Sequence, residues 1–180
     1  IQEVQKAGAV FDSAKLDWIN NHHLAALSFD AFNERLAPFL DIVGIDVTQK
    51  KNSHEIIAAL RSSKPTLLGV ARDLIPYFSE VQAYDEKAAN KFLIGSEAVL
   101  EFVQRKLNGL EIWNEESIDH VLKEAQTKLS LPTPKLNQPI RIAMTGSTQS
   151  PSLGLTLSLF DSVEVNNRID SALKYLANSN

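Results

Sequence analysis

Apolar residues recur every three or four positions along most of this chain, the period of an amphipathic helix, and the alternation of a half-buried strand is scarce. Asp12 is a cap candidate for a helix with Leu16, Ile19 and His23 on one face, and Ser28 for one with Phe32, Leu36 and Phe39 on a stripe. Ser53 precedes a short helix carrying Ile56, Ile57 and Leu60. Thr66 can cap the next, with Leu67, Val70, Leu74, Tyr77 and Phe78, and Pro76 marks the place where it should stop or kink.

Further helices are expected over Ala83 to Leu93, and from Ser96 through Val99, Leu100, Val103 and Leu107 to a stop at Gly109. Asn114 opens another with Ile118, Val121, Leu122 and Ala125. The pattern breaks at Leu131-Pro132-Thr133-Pro134, read as a linker or domain boundary. Beyond it, Pro139 to Met144 is a short apolar run ending at Thr145-Gly146-Ser147. Ser150-Pro151 predicts a helix start, since proline at the first helical position loses no hydrogen bond, with Leu153, Leu157 and Phe160 following. Asp161 or Ser162 opens a last helix bearing Val165, Ile169, Leu173 and Leu176. The fold class this predicts is all-α, without a fixed-period repeat.

Composition narrows the class. The 180 residues are 44% hydrophobic and 22% charged, enough for one ordinary domain or two small ones with a core. No stretch is apolar over the ~18 residues a membrane helix needs, and Ile1 to Gly8 lack the pattern of a signal peptide. The absence of cysteine excludes disulfides, thiolate metal sites and a cysteine nucleophile, and suits the cytoplasm. The chain opens at Ile1, not Met, within what reads as a polar helix, so a segment of a longer protein is expected.

The net charge of -4 argues against a polyanion partner, but its distribution argues for one. From Ala125 to Phe160 no Asp or Glu occurs, while Lys128, Lys135 and Arg141 lie inside the stretch. A surface free of repelling charge is the expectation. The turn feeding the helix after Ser150 would expose backbone N–H groups at Ser150, Ser152 and Leu153 beside hydroxyls and Arg141, a setting suited to a phosphate or the edge of an unstacked base.

Catalytic chemistry is not visible. His22, His23, His54 and His120 lack ligand spacing, and adjacent helical histidines point about 100° apart. No carboxylate pair stands out as an acid and base, no Gly-rich loop cradles a phosphate, and no nucleophile elbow occurs. Binding is the expected work, with no catalytic residue, metal or cofactor in this chain.

Two stretches carry a family resemblance. Ala9-Val10-Phe11-Asp12-Ser13-Ala14-Lys15-Leu16-Asp17-Trp18-Ile19-Asn20-Asn21-His22-His23 resembles the segment that follows the catalytic domain in bacterial glutamyl-tRNA synthetases. Arg141-Ile142-Ala143-Met144-Thr145-Gly146-Ser147-Thr148-Gln149-Ser150-Pro151 is similar to that family's C-terminal motif. The resemblance covers nearly the whole chain. It implies a helical bundle or cage: the end of a stem-contact region over 1–45, then two small anticodon-binding subdomains over 46–130 and 131–180.

It further implies that Arg141, Ser150, Pro151 and Leu153 contact the second and third anticodon bases. Chemically, Arg141 can give two parallel hydrogen bonds, and Pro151 with Leu153 can offer an apolar face to a splayed base. Family members carry an Arg before a Lys-Thr-Leu, implicated in reading the third base. Here the run is Arg61-Ser62-Ser63-Lys64-Pro65-Thr66-Leu67, with Ser63 at that position and Arg61 or Lys64 as substitutes. The residue after the proline, usually Gly, is Ser152.

The ATP-handling motifs of the family are absent from this sequence. ATP and Mg2+ would belong to the catalytic region of a parent enzyme that joins glutamate to tRNA. The implied partner is tRNA of the glutamate type, with the glutamine type left open, and neither membrane nor DNA. Two other readings stand beside this one: a helical protein-docking module without RNA reading, and a self-contained hydrolase or metal enzyme with a clustered polar pocket.

Overall fold

The structure is a computed structural model and describes residues 12–179. Expectations for Ile1 to Phe11 lie outside the described residues. Ten α-helices follow one another: α1 (Ser13–Ala25), α2 (Phe29–Val43), α3 (Ser53–Leu60), α4 (Leu67–Phe78), α5 (Glu86–Ala88), α6 (Glu97–Leu107), α7 (Glu115–Leu129), α8 (Thr133–Thr145), α9 (Leu153–Ser158) and α10 (Ser162–Ser179). No strand occurs among the described residues, as the apolar period requires.

The caps are local chemistry. Asp12, Ser28, Thr66 and Asn114 each accept a backbone N–H three residues ahead, satisfying one of the free donors that open α1, α2, α4 and α7. The apolar stripes then meet. α2 packs on α4, α6 on α7, α7 on α9, and α10 on α6 and α8. Their buried residues, from Leu24 to Leu176, form one continuous cluster.

Three local expectations differ from what the fold contains. α1 has the predicted cap, but Leu16 and Trp18 on it are 51% and 70% exposed and Leu24 is its one buried residue. Its period is helical, yet Leu16, Trp18 and Ile19 are left uncovered among the described residues. The expected helix from Ala83 shortens to α5, which runs into a π-type turn over Ala89–Leu93 closed by the Ile94 N–H on the Ala89 carbonyl, 3.0 Å. And the Pro132 to Pro134 break is narrow. Ser130 takes a left-handed conformation (φ 51°), and α8 restarts at Thr133 with Pro134 in its first turn, where a missing N–H costs nothing. The apolar run from Pro139 is thus the buried half of a 13-residue helix.

At the far end of α8, Gly146 (φ 72°) ends the helix within 3.0 Å, measured from a β-carbon built on it, of the Ala83 carbonyl oxygen. A side chain there meets both a strained backbone and a neighbouring chain segment. Arg168 ties this end to α4. Its guanidinium, 7% exposed, donates to the carbonyls of Met144 (2.6 Å), Pro76 (2.7 Å) and Ser79 (2.9 Å) and to Glu164 on its own helix (2.8 Å).

Candidate nucleic-acid interface

The turn between α8 and α9 is built on hydroxyls. Thr145 Oγ1, one helical turn on from Arg141, donates to the Arg141 carbonyl (2.9 Å), and the Gln149 N–H donates to Ser147 Oγ (3.2 Å). Ser150 Oγ accepts from Arg141 Nε (2.7 Å) and from Thr156 Oγ1 (2.9 Å) and donates to the Pro151 carbonyl (3.1 Å). Arg141 Nη2 reaches that same carbonyl at 3.2 Å. Two of the guanidinium's five N–H donors are therefore spent on shaping the turn. Burial draws the pKa of Arg141 down, opposed by Tyr77, from a value so high that the group stays charged at neutral pH.

Facing this turn is the loop from α3 to α4. Lys64 Nζ donates to Gln149 Oε1 at 2.7 Å and lies 3.8 Å from the Asp73 carboxylate. Between the two loops opens a cleft of about 440 Å³, lined by Ser63, Lys64, Tyr77, Gln149, Ser150 and Pro151 among others. Residues separated by some 85 positions in sequence thus share one cavity. Its size lies within the range of about 300 to 1,000 Å³ usual for small-ligand clefts.

Of the sequence-derived candidates, Ser63, Lys64, Ser150 and Pro151 line this cleft. Arg141 lies behind it, on a smaller cavity with Leu153, Asp119 and Lys123. Leu153 requires a correction: at 4% exposure it belongs to the core, held there by the packing of α9 on α7, and presents no open apolar face. Arg61 is also spent elsewhere. It lies 5.2 Å from the Phe32 ring, and its Nη2 donates to the carbonyls of Leu24 (3.2 Å), Ala25 (3.4 Å) and Leu27 (2.8 Å), closing the end of α1.

The helix start also moves. α9 begins at Leu153 with Ser152 as its cap, accepting from the Leu155 N–H at 3.3 Å, so Pro151 stands outside the helix. Ser152 Oγ also donates to Glu115 at 3.0 Å, and Asp119 packs on Gly154. The stretch free of acids in sequence is met in space by carboxylates from α7. A phosphate at this helix start would face both of them, which turns attention to the cleft.

Reading the sequence missed Gln149 and Tyr77 as cleft residues. Gln149 stood inside the quoted motif, and Tyr77 was assigned only to an apolar stripe. The Tyr77 hydroxyl is buried beside Thr156, whose own hydroxyl is directed to Ser150, and burial pushes the Tyr77 pKa up to about 12 against the lowering effect of Thr156. Among the described residues no group of three or more His, Asp or Glu is placed to hold a metal ion.

The model of the anticodon binding domain family matches residues 31–173. The chain belongs to the anticodon binding domain family. This anticodon binding domain is 33% identical over 177 residues to a glutamate–tRNA ligase of Coxiella burnetii and 30% identical over 177 residues to one of Halorhodospira halophila. Each match covers 98% of this chain and 38% of the relative, so the chain spans well under half the length of the proteins it matches. In fold it is similar to the crystal structure of a glutamate tRNA ligase from Elizabethkingia meningosepticum, with a TM-score of 0.78, 21% identity, and coverage of 95% of this chain and 34% of that one. A glutamate–tRNA synthetase structure from Elizabethkingia anophelis gives a TM-score of 0.75 at 20% identity, covering 91% and 32%.

Proposed function

We propose that this chain reads the anticodon of a tRNA of the glutamate type as the C-terminal part of a glutamate–tRNA ligase. The observation that carries the reading is the cleft in which Ser63 and Lys64 from one loop meet Gln149, Ser150 and Pro151 from another. Anticodon bases are unpaired and can be splayed into such a cleft, where hydroxyls, an amide and an ammonium probe their pairing edges. Arg141 holds the turn and supports the seat from behind. The relatives' names support the class of partner.

In this reading the parent enzyme joins glutamate to tRNA with ATP and Mg2+, and the residues for that chemistry lie outside these 180. A cytoplasmic setting follows from the role. No described helix is long and apolar enough to cross a membrane.

Titrating the protein with glutamate tRNA at low and high salt tests the proposal. Binding should weaken as salt rises, because phosphate contacts release counterions, and Arg141→Ala, which frees the turn carrying Gln149 and Ser150, should weaken it as well. The second reading, a protein-docking module, is favoured by the exposed Leu16 and Trp18 on α1 and by Ile42, which is 70% exposed. Indifference to RNA at every salt concentration would select it.

A further inference from the structure

A second cavity, of about 400 Å³, opens where the end of α4 and the segment after it meet α8 and α10, and it shares no lining residue with the cleft. Its size also suits a small organic ligand. Four charged side chains line it, Lys50 and Arg168 against Glu80 and Glu164. Glu164 is fully engaged: Oε2 accepts from Lys50 Nζ at 2.5 Å, and Oε1 accepts from Arg168 Nε at 3.2 Å and Nη2 at 2.8 Å. Glu80 and Asn167 are exposed, and among the described residues neither side chain has a partner. A carboxylate and an amide thus face the same space with their capacity unspent.

The remaining wall is apolar and aromatic. Phe78, Val81 and Ala143 line it with Tyr84, whose ring meets Tyr175 at 67° and 4.9 Å. Burial raises the Tyr84 pKa, opposed by Arg168, so the phenol is neutral at physiological pH. Two positive and two negative charges cancel across the lining, which suits a ligand without net charge. An aromatic ring, a free amide and a free carboxylate are together the complement of a nucleoside: the ring packs on a base, the amide pairs with the N6 and N7 edge of adenine, and the carboxylate accepts from ribose hydroxyls. We propose that this cavity binds a free adenosine-type nucleoside, with adenine on Tyr84 and Asn167 and the ribose on Glu80. A phosphate would upset the balance of charge, so the occupant is the nucleoside and neither a nucleotide nor RNA.

Isothermal titration calorimetry of the native chain, Asn167→Ala and Glu80→Ala against adenosine, guanosine, 2′,3′-dideoxyadenosine, adenosine monophosphate and phenylalanine provides the test. The native protein should bind adenosine about tenfold more tightly than guanosine, the discrimination of one good paired contact. It should bind dideoxyadenosine more weakly than adenosine, and the monophosphate no more tightly. Asn167→Ala should erase the preference over guanosine and keep the preference over the dideoxy compound, and Glu80→Ala should do the reverse. General loosening of the fold would not produce that crossed pattern, and both residues are exposed, so the native thermal transition, read alongside, should be kept. No saturable binding of adenosine at millimolar concentration overturns the proposal, as do preferences unmoved by both substitutions. Tighter binding of phenylalanine would assign the cavity to a zwitterion, and displacement of adenosine by glutamate tRNA would assign it to RNA; either result also overturns it.

Discussion

Gly154 and Asp119 approach so closely that a β-carbon on the glycine would lie 2.1 Å from the aspartate's Oδ1. The contact seats α9 on α7 and thereby sets where the turn after α8 can go. Adding a methyl in a helix normally gains up to ~1 kcal/mol over glycine, but here the Asp119 carboxylate must swing aside to admit it. Gly154→Ala should therefore fall short of that gain on its own. Combined with Asp119→Ala, which clears the space, it should recover the gain, with a coupling on the order of 1 kcal/mol in a double-mutant cycle read by urea denaturation. Strictly additive effects would mean that the two residues do not oppose each other.

Tyr77 gives the protein a weakness in alkali. Its phenol is raised to about 12 by burial, so the folded state favours the neutral form and the corresponding stability is intact below pH 10. Between about pH 10 and 12 the unfolded chain sheds this proton and the folded one keeps it, so stability falls as pH rises, by an amount on the order of 2 kcal/mol. Tyr77→Phe should flatten that decline in a series of thermal melts. At neutral pH it should change stability by less than about 1 kcal/mol, because the buried hydroxyl removed has no well-formed hydrogen bond and only Thr156 beside it.

Much of the architecture could be read from the chain because it depends on local rules. Caps such as Thr66 and Asn114, and stripes such as Val70, Leu74 and Tyr77, follow from spacing and hydrogen-bond accounting within a few residues. The candidate site was less legible. Leu153 has the same local pattern whether its side chain faces solvent or α7, and the carboxylates of Glu115 and Asp119 come within reach of the turn only through packing. Arg61 was weighed as a base reader from its charge and position. Nothing near it in sequence announces that three carbonyls at the end of α1 take its Nη2 donors. The Lys64–Gln149 bridge spans loops that meet only when α4 and α8 are both in place.

The attachment of α1 should depend on Arg61. Few apolar side chains hold this helix, and a 13-residue helix is marginal in water alone, so the polar ties to Arg61 and the Asn20 bond to the Pro65 carbonyl matter. Arg61→Ala should raise amide hydrogen exchange across residues 19–27 while leaving α6, α7 and α10 protected. Equal acceleration everywhere would instead indicate that Arg61 supports the global core.

Arg168 joins both walls of the cleft to one anchor. Its Nη1 holds the Met144 carbonyl near the end of α8, and its Nη2 holds Pro76 and Ser79 at the end of α4, while Phe160 lies 4.5 Å beneath the guanidinium and stacks on Tyr77. Pro76, Tyr77 and Thr145 line the cleft beside those contacts. Arg168→Leu takes the donor from three carbonyls while Glu164 keeps Lys50 as its partner at 2.5 Å, and leaving buried acceptors unsatisfied costs about 1 to 3 kcal/mol each. Arg168→Lys keeps the charge but cannot reproduce the planar fork that reaches separated acceptors at once. Its cost in urea denaturation should be smaller but still well above that of an exposed substitution. RNA affinity separates the two consequences. At temperatures where Arg168→Lys is fully folded by circular dichroism, the stem-loop should still bind several-fold more weakly, because α4 and α8 no longer share the anchor that fixes their spacing. Native-like affinity in that folded variant would show that the cleft keeps its width without Arg168.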